Sequence, residues 1–405
     1  MRAPPALADP NFRWFWTGLL SFTHAIAMYR FLLPWLAFEI SGSTLAIAWV
    51  ALASSVPGLL ALPYASVTSD RLDRARLLRR TQAASAVVAL FLAGILLAGV
   101  FEVGHLVVMA ALMSVVHSFD QPARMSIVPA LIRGSALVSA FALSGAAWNL
   151  AQIAGPALSG ALIAATQSIG AGPGPILLLV AGGYAFTSFT MTRVRVERSR
   201  PAGRGRAWSS EFAEGLRFAF GRSETRSIIL IVLATGMFGT SYVYLMPAFA
   251  KDIYGVDARG LGVLVSSVGI GALAGTMLLA RYGAERRRGA FFLAATFALG
   301  VVLLAFTLSR SFLLSIPLLF GVGALAATYL TLGQSLLAML TPDAIRGRVL
   351  GLFALTFTLQ GLGAAISGAV AAVVGPPLAV ALAASVVIAV VATVAVTTPR
   401  MRSID

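Results

Sequence analysis

Cysteine is absent from the 405 residues, which excludes a disulfide framework, a thiolate nucleophile and any Cys-ligated metal. Charge is scarce too. Asp, Glu, Lys and Arg together make up 11% of the chain, less than half the share in ordinary soluble domains. The fifteen acidic residues all fall in expected loops or near the ends of apolar stretches, with Glu39, Asp120 and Asp252 nearest to membrane depth. The chain has no Walker A loop, no HExxH and no pair of carboxylates in mid-stretch, so neither ATP hydrolysis nor peptide cleavage has a visible site. No enzyme activity, cofactor or metal site is expected.

What remains is apolar. Hydrophobic residues make up 59% of the chain and the mean hydropathy is +0.89, as required of a chain threaded repeatedly through a bilayer. A net charge of +15 would suggest nucleic acid in a soluble chain, but the position of the charges argues against that partner. Of thirty Lys and Arg residues, only Arg30, Lys251, Arg259 and Arg310 fall in or beside segments assigned to the outer side. This bias fixes orientation, with both termini cytoplasmic and an even number of spans. The first span lacks the features of a cleavable leader and is expected to be retained.

Twelve apolar stretches are read at 14–38, 45–68, 83–101, 104–119, 136–165, 175–191, 227–249, 260–280, 290–308, 312–340, 349–374 and 377–396. The fourth is short and is expected to continue through Asp120 and Gln121. Residues 1–13 and 398–405 form cytoplasmic ends, 14–191 a first six-helix half and 227–397 a second. Between the halves, 192–226 carries nine Arg and cannot cross a membrane. Within this linker, Phe212, Leu216, Phe218 and Phe220 alternate with Glu211, Glu214 and Arg217, which fits an amphipathic helix on the inner membrane surface.

The chain also repeats itself. Pro129-Ala-Leu-Ile-Arg-Gly134 recurs as Pro342-Asp-Ala-Ile-Arg-Gly347, and Ala157-Leu-Ser-Gly-Ala161 as Ala365-Ile-Ser-Gly-Ala369. Duplication inside an apolar chain points to a transporter whose two halves rock about a central site.

After the second span, Ser66-Val-Thr-Ser-Asp70-Arg71-Leu-Asp73-Arg74-Ala75-Arg76 resembles the G-x-x-x-D-R-x-x-R-R loop of the major facilitator superfamily, with Ser66 and Ala75 departing from the pattern. The counterpart after the eighth span, Arg281-Tyr-Gly283-Ala-Glu285-Arg286-Arg287-Arg288, is more degenerate. Asn11-Phe12-Arg13, Leu33-Pro34-Trp35-Leu36, Ser41-Gly42-Ser43, Asp120-Gln-Pro122-Ala123-Arg124 and Arg346-Gly347-Arg348-Val349 are similar to the enterobactin-exporter-like, drug-efflux branch. The resemblance implies an all-α membrane protein of twelve transmembrane helices in two pseudo-symmetric six-helix halves. It implies efflux of siderophores, drugs or similar amphipathic metabolites from bacteria, across the cytoplasmic (inner) membrane, coupled to proton entry. Ile26 stands where members often carry an acidic residue in the first helix.

In this loop Asp70 can face the positive N-terminal end of another helix while Arg71 and Arg74 pair with carboxylates when the inner side closes. The resemblance implies the eleventh helix, near Val349, as the dipole partner of Asp70. The same logic marks Asp120 with Arg124, and Asp343 with Arg346 and Arg348, as cytoplasmic switch residues. Arg76, Arg79 and Arg80 read instead as topology signals held by lipid phosphate.

The resemblance also implies a cavity lined by the first, fourth, seventh and tenth helices. Ser21, His24 and Arg30 on the first, His117 on the fourth, Tyr242 on the seventh, and Thr331 and Gln334 on the tenth are candidate lining residues, joined by Asn149, Gln152 and Gln360 on neighbouring helices. Many Ser and Thr in spans serve helix packing instead. With no carboxylate in mid-span, His24 and His117 are the candidates for proton coupling, because an ordinary imidazole titrates near pH 6.5. Partners are then a small-molecule substrate, protons and the lipid bilayer, with a monomer expected. An importer or facilitator of a small anionic solute, using Arg30, and a non-transporting membrane sensor or assembly protein stay open as alternatives.

Overall fold

The computed structural model describes residues 4–132, 134, 136–196, 208–282, 287–342 and 345–404, and within its helices the side chains of 66–71, 125, 208–213, 354, 355, 357 and 358 lie outside the described set. Fifteen α-helices occur among the described residues. Eleven described helical stretches are long and apolar enough to span a membrane. A further helix, Arg346–Val374, carries the apolar stretch Leu359–Val374 in the remaining position. Helices close their backbone hydrogen bonds internally, the condition for crossing hydrocarbon. The expected all-α architecture is the observed one.

In chain order the first six spans are α1 (Pro10–Ser41), α2 with α3 (Thr44–Ala53, Val56–Arg71), α4 (Arg74–Leu97), α5 (Val103–Leu131), α6 (Ala136–Ser168) and α7 (Gly174–Arg193). The second span breaks between α2 and α3 because Pro57 has no N–H to donate. The new helix restarts with Leu59 N–H bonding the Ser55 carbonyl at 3.0 Å. Asp73 starts α4 by accepting the Arg76 N–H at 2.9 Å, an N-cap that stabilises its first turn. The fourth span continues through Asp120 and Gln121, as expected, and runs on a further ten residues to Leu131. It carries Asp120, Pro122, Arg124 and Pro129 inside one helix of 29 residues, about 43 Å long at 1.5 Å per residue.

The linker helix α8 (Trp208–Gly221) precedes α9 (Ser223–Ala234), α10 (Tyr242–Ala248), α11 (Ala258–Tyr282), α12 (Arg288–Leu308), α13 (Phe312–Leu340), α14 (Arg346–Val374) and α15 (Pro376–Thr397). The seventh span is α9, a π-helical turn at Thr235–Gly239, α10 and a second π-turn at Phe249–Ile253. Its broken backbone is met by hydroxyls, Thr240 donating to the Gly236 carbonyl at 2.6 Å and Ser241 to that of Phe238 at 2.9 Å.

The chain folds as two compact units. Unit 1 comprises Met1–Ser41 and Ala53–Arg204; unit 2 comprises Gly42–Leu52 and Gly205–Asp405. Inside unit 1, α1 is tied to α7 by reciprocal bonds, the Ser21 hydroxyl to the Gly183 carbonyl at 2.9 Å and that of Thr187 to the Gly18 carbonyl at 3.1 Å. Inside unit 2, α14 presses on the first π-turn so closely that a Cβ on Gly363 would collide with the Met237 carbonyl, and one on Gly236 with Thr356. Ser367 of α14 donates to the hydroxyl of Ser241, at the start of α10, at 2.9 Å. Small residues that admit backbone-to-backbone approach are the usual adhesive between membrane helices.

Candidate functional site

The strongest polar constellation is buried in unit 1, where α1, α4, α5 and α7 meet. Asp120 and Arg124 stand one helical turn apart on α5, on the face that also carries His117. Asp120 is 2% exposed and Arg124 6%. The carboxylate accepts from Arg124 Nε at 2.9 Å and lies 2.8 Å from Nη2. From α4 it also accepts the Thr81 hydroxyl at 3.0 Å and Gln82 Nε2 at 2.6 Å. The guanidinium lies over the Phe22 ring, 3.7 Å from its centroid. Phe22 is in turn edge-on to His117 at 6.2 Å and to Trp148 of α6 at 5.8 Å, while Tyr184 of α7 sits 6.0 Å from the His117 ring.

A buried ion pair of this kind offsets its desolvation only through good geometry and further hydrogen bonds, and here both are present. Removing one charge leaves the other uncompensated. The cluster also holds polar atoms with no partner among the described residues: His117 Nε2, Gln82 Oε1, Arg124 Nη1, Ser85 Oγ and the hydroxyls of Tyr29 and Tyr184. The charged groups whose fields reach His117 are Asp120, Arg30 and Arg124.

The other candidate residues scatter by role. Ser21 is committed to helix packing through its bond to Gly183. His24 is half-buried and its Nδ1 lies 2.8 Å from the Leu20 carbonyl of its own helix. Arg30, Asn149 and Gln152 are exposed. In unit 2, Tyr242 is buried, its ring 6.4 Å from that of Phe306. Thr331 and Gln334 are exposed, with the Thr331 hydroxyl turned back on the Ala327 carbonyl at 2.8 Å, and Gln360 is half-buried.

Of the switch residues, Arg74 donates to the Ser126 carbonyl at 3.1 Å, fastening α4 to α5. Asp343 lies outside the described residues, as do the side chains of Asp70 and Arg71. Arg346 donates to the Ala338 carbonyl at 3.0 Å, capping the end of α13, as a cation does well at a helix C-terminus. Arg348 pairs with Glu214 of the linker helix at 2.7 Å, and a Cβ on Gly215 would stand 3.1 Å from the Arg348 Cβ. Near the loop after the seventh span, burial raises the Tyr254 phenol above its ordinary range, opposed by its hydrogen bond with Ser315 at 2.7 Å.

Sequence reasoning missed Thr81, Gln82, Phe22 and Tyr184 as parts of the cluster, and Glu214 as an ionic partner. Gln82, which stands immediately before the third apolar stretch and is carried into the span by α4, was the available signal, since a buried amide needs a partner.

The family model described as transmembrane secretion effector matches residues 3–405. The multidrug efflux pump Tap of Mycolicibacterium fortuitum is 27% identical over 393 residues, covering 92% of this chain and 91% of Tap. Among solved structures, the bacterial homologue of the human lysosomal transporter Spinster aligns with a TM-score of 0.72 at 14% identity, over 97% of this chain and 96% of that one. The nucleoside transporter NupG aligns with a TM-score of 0.71 at 12% identity, over 96% and 98%. The twelve-position helical order, the loop after the second span and this whole-length match agree: the chain belongs to the transmembrane secretion effector family of the major facilitator superfamily and is a multi-pass membrane transporter, not an enzyme.

Proposed function

We propose that this transporter exports amphipathic organic compounds, drugs or siderophore-like metabolites, across the bacterial inner membrane in exchange for protons. The observation that carries the reading is the likeness to a multidrug efflux pump along nine-tenths of both chains. The crowding of Arg into cytoplasmic segments supports placing both termini inside. Residues 14–191 and 227–397 act as the two six-helix halves of an alternating-access cycle, joined by the basic linker 192–226, and the protein works as a monomer. Asp70, Arg71 and Arg74 serve as a conformational switch at the cytoplasmic end of the second span, with Asp343, Arg346 and Arg348 in the equivalent place of the second half. His24, Arg30, Asn149, Gln152, Thr331, Gln334 and Gln360 are the side chains offered to substrate.

The test is dye efflux from energised cells of an efflux-deficient bacterium expressing the chain, with ethidium and a panel of structurally unlike drugs. Protonophore-sensitive ethidium efflux, lost in Asp70→Asn, is the expected result. Membrane-inserted protein that moves none of the panel overturns the multidrug reading. A second reading, uptake of a small anionic solute, is favoured by the exposed guanidinium of Arg30. Uptake of labelled organic anions that is lost in Arg30→Gln would select it.

A further inference from the structure

We propose that unit 1 encloses a hydrated proton-binding site in which His117 gains and loses the proton and the Asp120–Arg124 pair supplies the counter-charge. This deepens the proton-exchange reading and rests on it for the site's place in transport.

Three observations carry it. First, buried polar atoms almost always find partners, and a group of unpartnered ones in one place marks water or an ion. His117 Nε2, Gln82 Oε1, Arg124 Nη1, Ser85 Oγ and the Tyr29 and Tyr184 hydroxyls are such a group. They include donors and acceptors, as a chain of waters requires. Second, the titratable groups can be separated. From α1 the cluster is faced by Tyr29 and Arg30, from α7 by Tyr184, and from α5 itself by His117, Asp120 and Arg124. The side chains contributed by α4, Thr81, Gln82 and Ser85, do not titrate, nor does Trp148 of α6. Ordinary phenols and guanidinium groups ionise near or above pH 10, which leaves His117 and Asp120. Third, both oxygens of Asp120 already accept hydrogen bonds, whereas Nε2 of His117 has none.

The step is a proton transfer. The Nε2 lone pair forms an N–H bond with a proton delivered through water, imidazole becomes imidazolium, and release reverses this with no redox change. The neutral Asp120–Arg124 pair then becomes a triad of net charge +1, in which two cations share one carboxylate. A charge inside a membrane protein is tolerated where water and a counter-ion meet it. The face of Phe22 lies against Arg124, and the carboxylate, one turn from His117 on the same helix, is the counter-charge common to both cations. Proton uptake thereby changes how α4 and α5 are joined, since Thr81 and Gln82 bind the same carboxylate.

The chain has only three histidines, so protein carrying ¹⁵N-labelled imidazoles in nanodiscs gives three ring signals, assigned with His24→Gln and His105→Gln. From about pH 4 to about pH 8, a window that takes in the range in which histidine switches operate, the His117 ring is expected to pass from protonated to neutral. Asp120→Asn should lower its midpoint by about one pH unit, a tenfold loss of proton affinity. A His117 ring that stays in one form throughout that range overturns the proposal, and this arm needs no variant within the cluster. In proteoliposomes, His117→Gln is expected to exchange ethidium across the membrane yet fail to accumulate it under an imposed pH gradient. A His117→Gln protein that still accumulates ethidium as the unaltered protein does also overturns the proposal. Unaltered protein that exchanges ethidium without responding to the gradient sinks the proton-exchange reading instead, and the ring titration then decides the site alone.

Discussion

Asp120→Ala is the most informative perturbation of the fold. The carboxylate is 2% exposed and its guanidinium partner 6%, so deleting it leaves a buried cation with a ring face but no counter-ion. Thr81 and Gln82 also lose their acceptor. Breaking a buried pair from one side costs about 3–5 kcal/mol, and the contact with Phe22 returns at most about 2 kcal/mol of that. Replacing both partners with apolar residues, Asp120→Ala with Arg124→Met, removes the uncompensated charge. The double variant is expected to be more stable than Asp120→Ala alone, with a coupling energy of roughly 2–3 kcal/mol. Reversible unfolding in dodecylmaltoside micelles titrated with SDS measures this. Emission from the six tryptophans reports the transition, because Trp148 packs on Phe22 in the same cluster. Single variants within about 1 kcal/mol of the unaltered protein, or losses that simply add in the double variant, would refute the reasoning.

Other outcomes follow from close packing and surface charge. Gly363→Ala drives a methyl into the Met237 carbonyl and should cost about 1–3 kcal/mol as an overpacked contact, whereas Gly347→Ala, with nothing within 4 Å, should be silent in the same unfolding titration. The Glu214–Arg348 pair is partly exposed, 42% and 25%, so Glu214→Ala should cost less than about 1 kcal/mol. The same change should speed hydrogen exchange in α8, and a charge-swapped pair should slow it again. Ser21→Ala deletes a packing bond to Gly183 worth about 1 kcal/mol, and should lower stability while leaving the order of preference among transported dyes unchanged.

The fold was legible because hydrocarbon imposes a single requirement, runs of about 20 apolar residues with basic flanks, and the linker's Arg cluster divides those runs. Where polar side chains satisfy one another inside the protein, hydropathy misleads. Hydropathy alone closes the fourth apolar stretch at 119, and the span is expected to continue only through Asp120 and Gln121, yet α5 carries on past Pro122 and Arg124 to Leu131. The breaks in the seventh span depend on Thr240 and Ser241 hydroxyls reaching back to carbonyls, and nothing in the local pattern announces that. For the site, the sequence marks Asp120 with Arg124 as a switch pair and His117 separately as a cavity and proton-coupling candidate, and only the structure brings the three into one cluster. Their partners on α4 and α7 come from distant parts of the chain, and one sequence carries no signal of who meets whom. Arg348 shows the same limit, since its nearest acidic residue along the chain is Asp343 and its observed partner is Glu214.

The most direct test of the account uses inverted inner-membrane vesicles from cells producing this chain, energised by respiration and monitored with a pH-sensitive acridine. Proton-driven export predicts that ethidium added to the bath enters the vesicles and, in doing so, releases protons from the lumen. The quenched acridine signal should recover in proportion to ethidium transported. Vesicles that take up ethidium with no change in the proton signal, or that fail to take it up at all while the protein is present and folded, would contradict it.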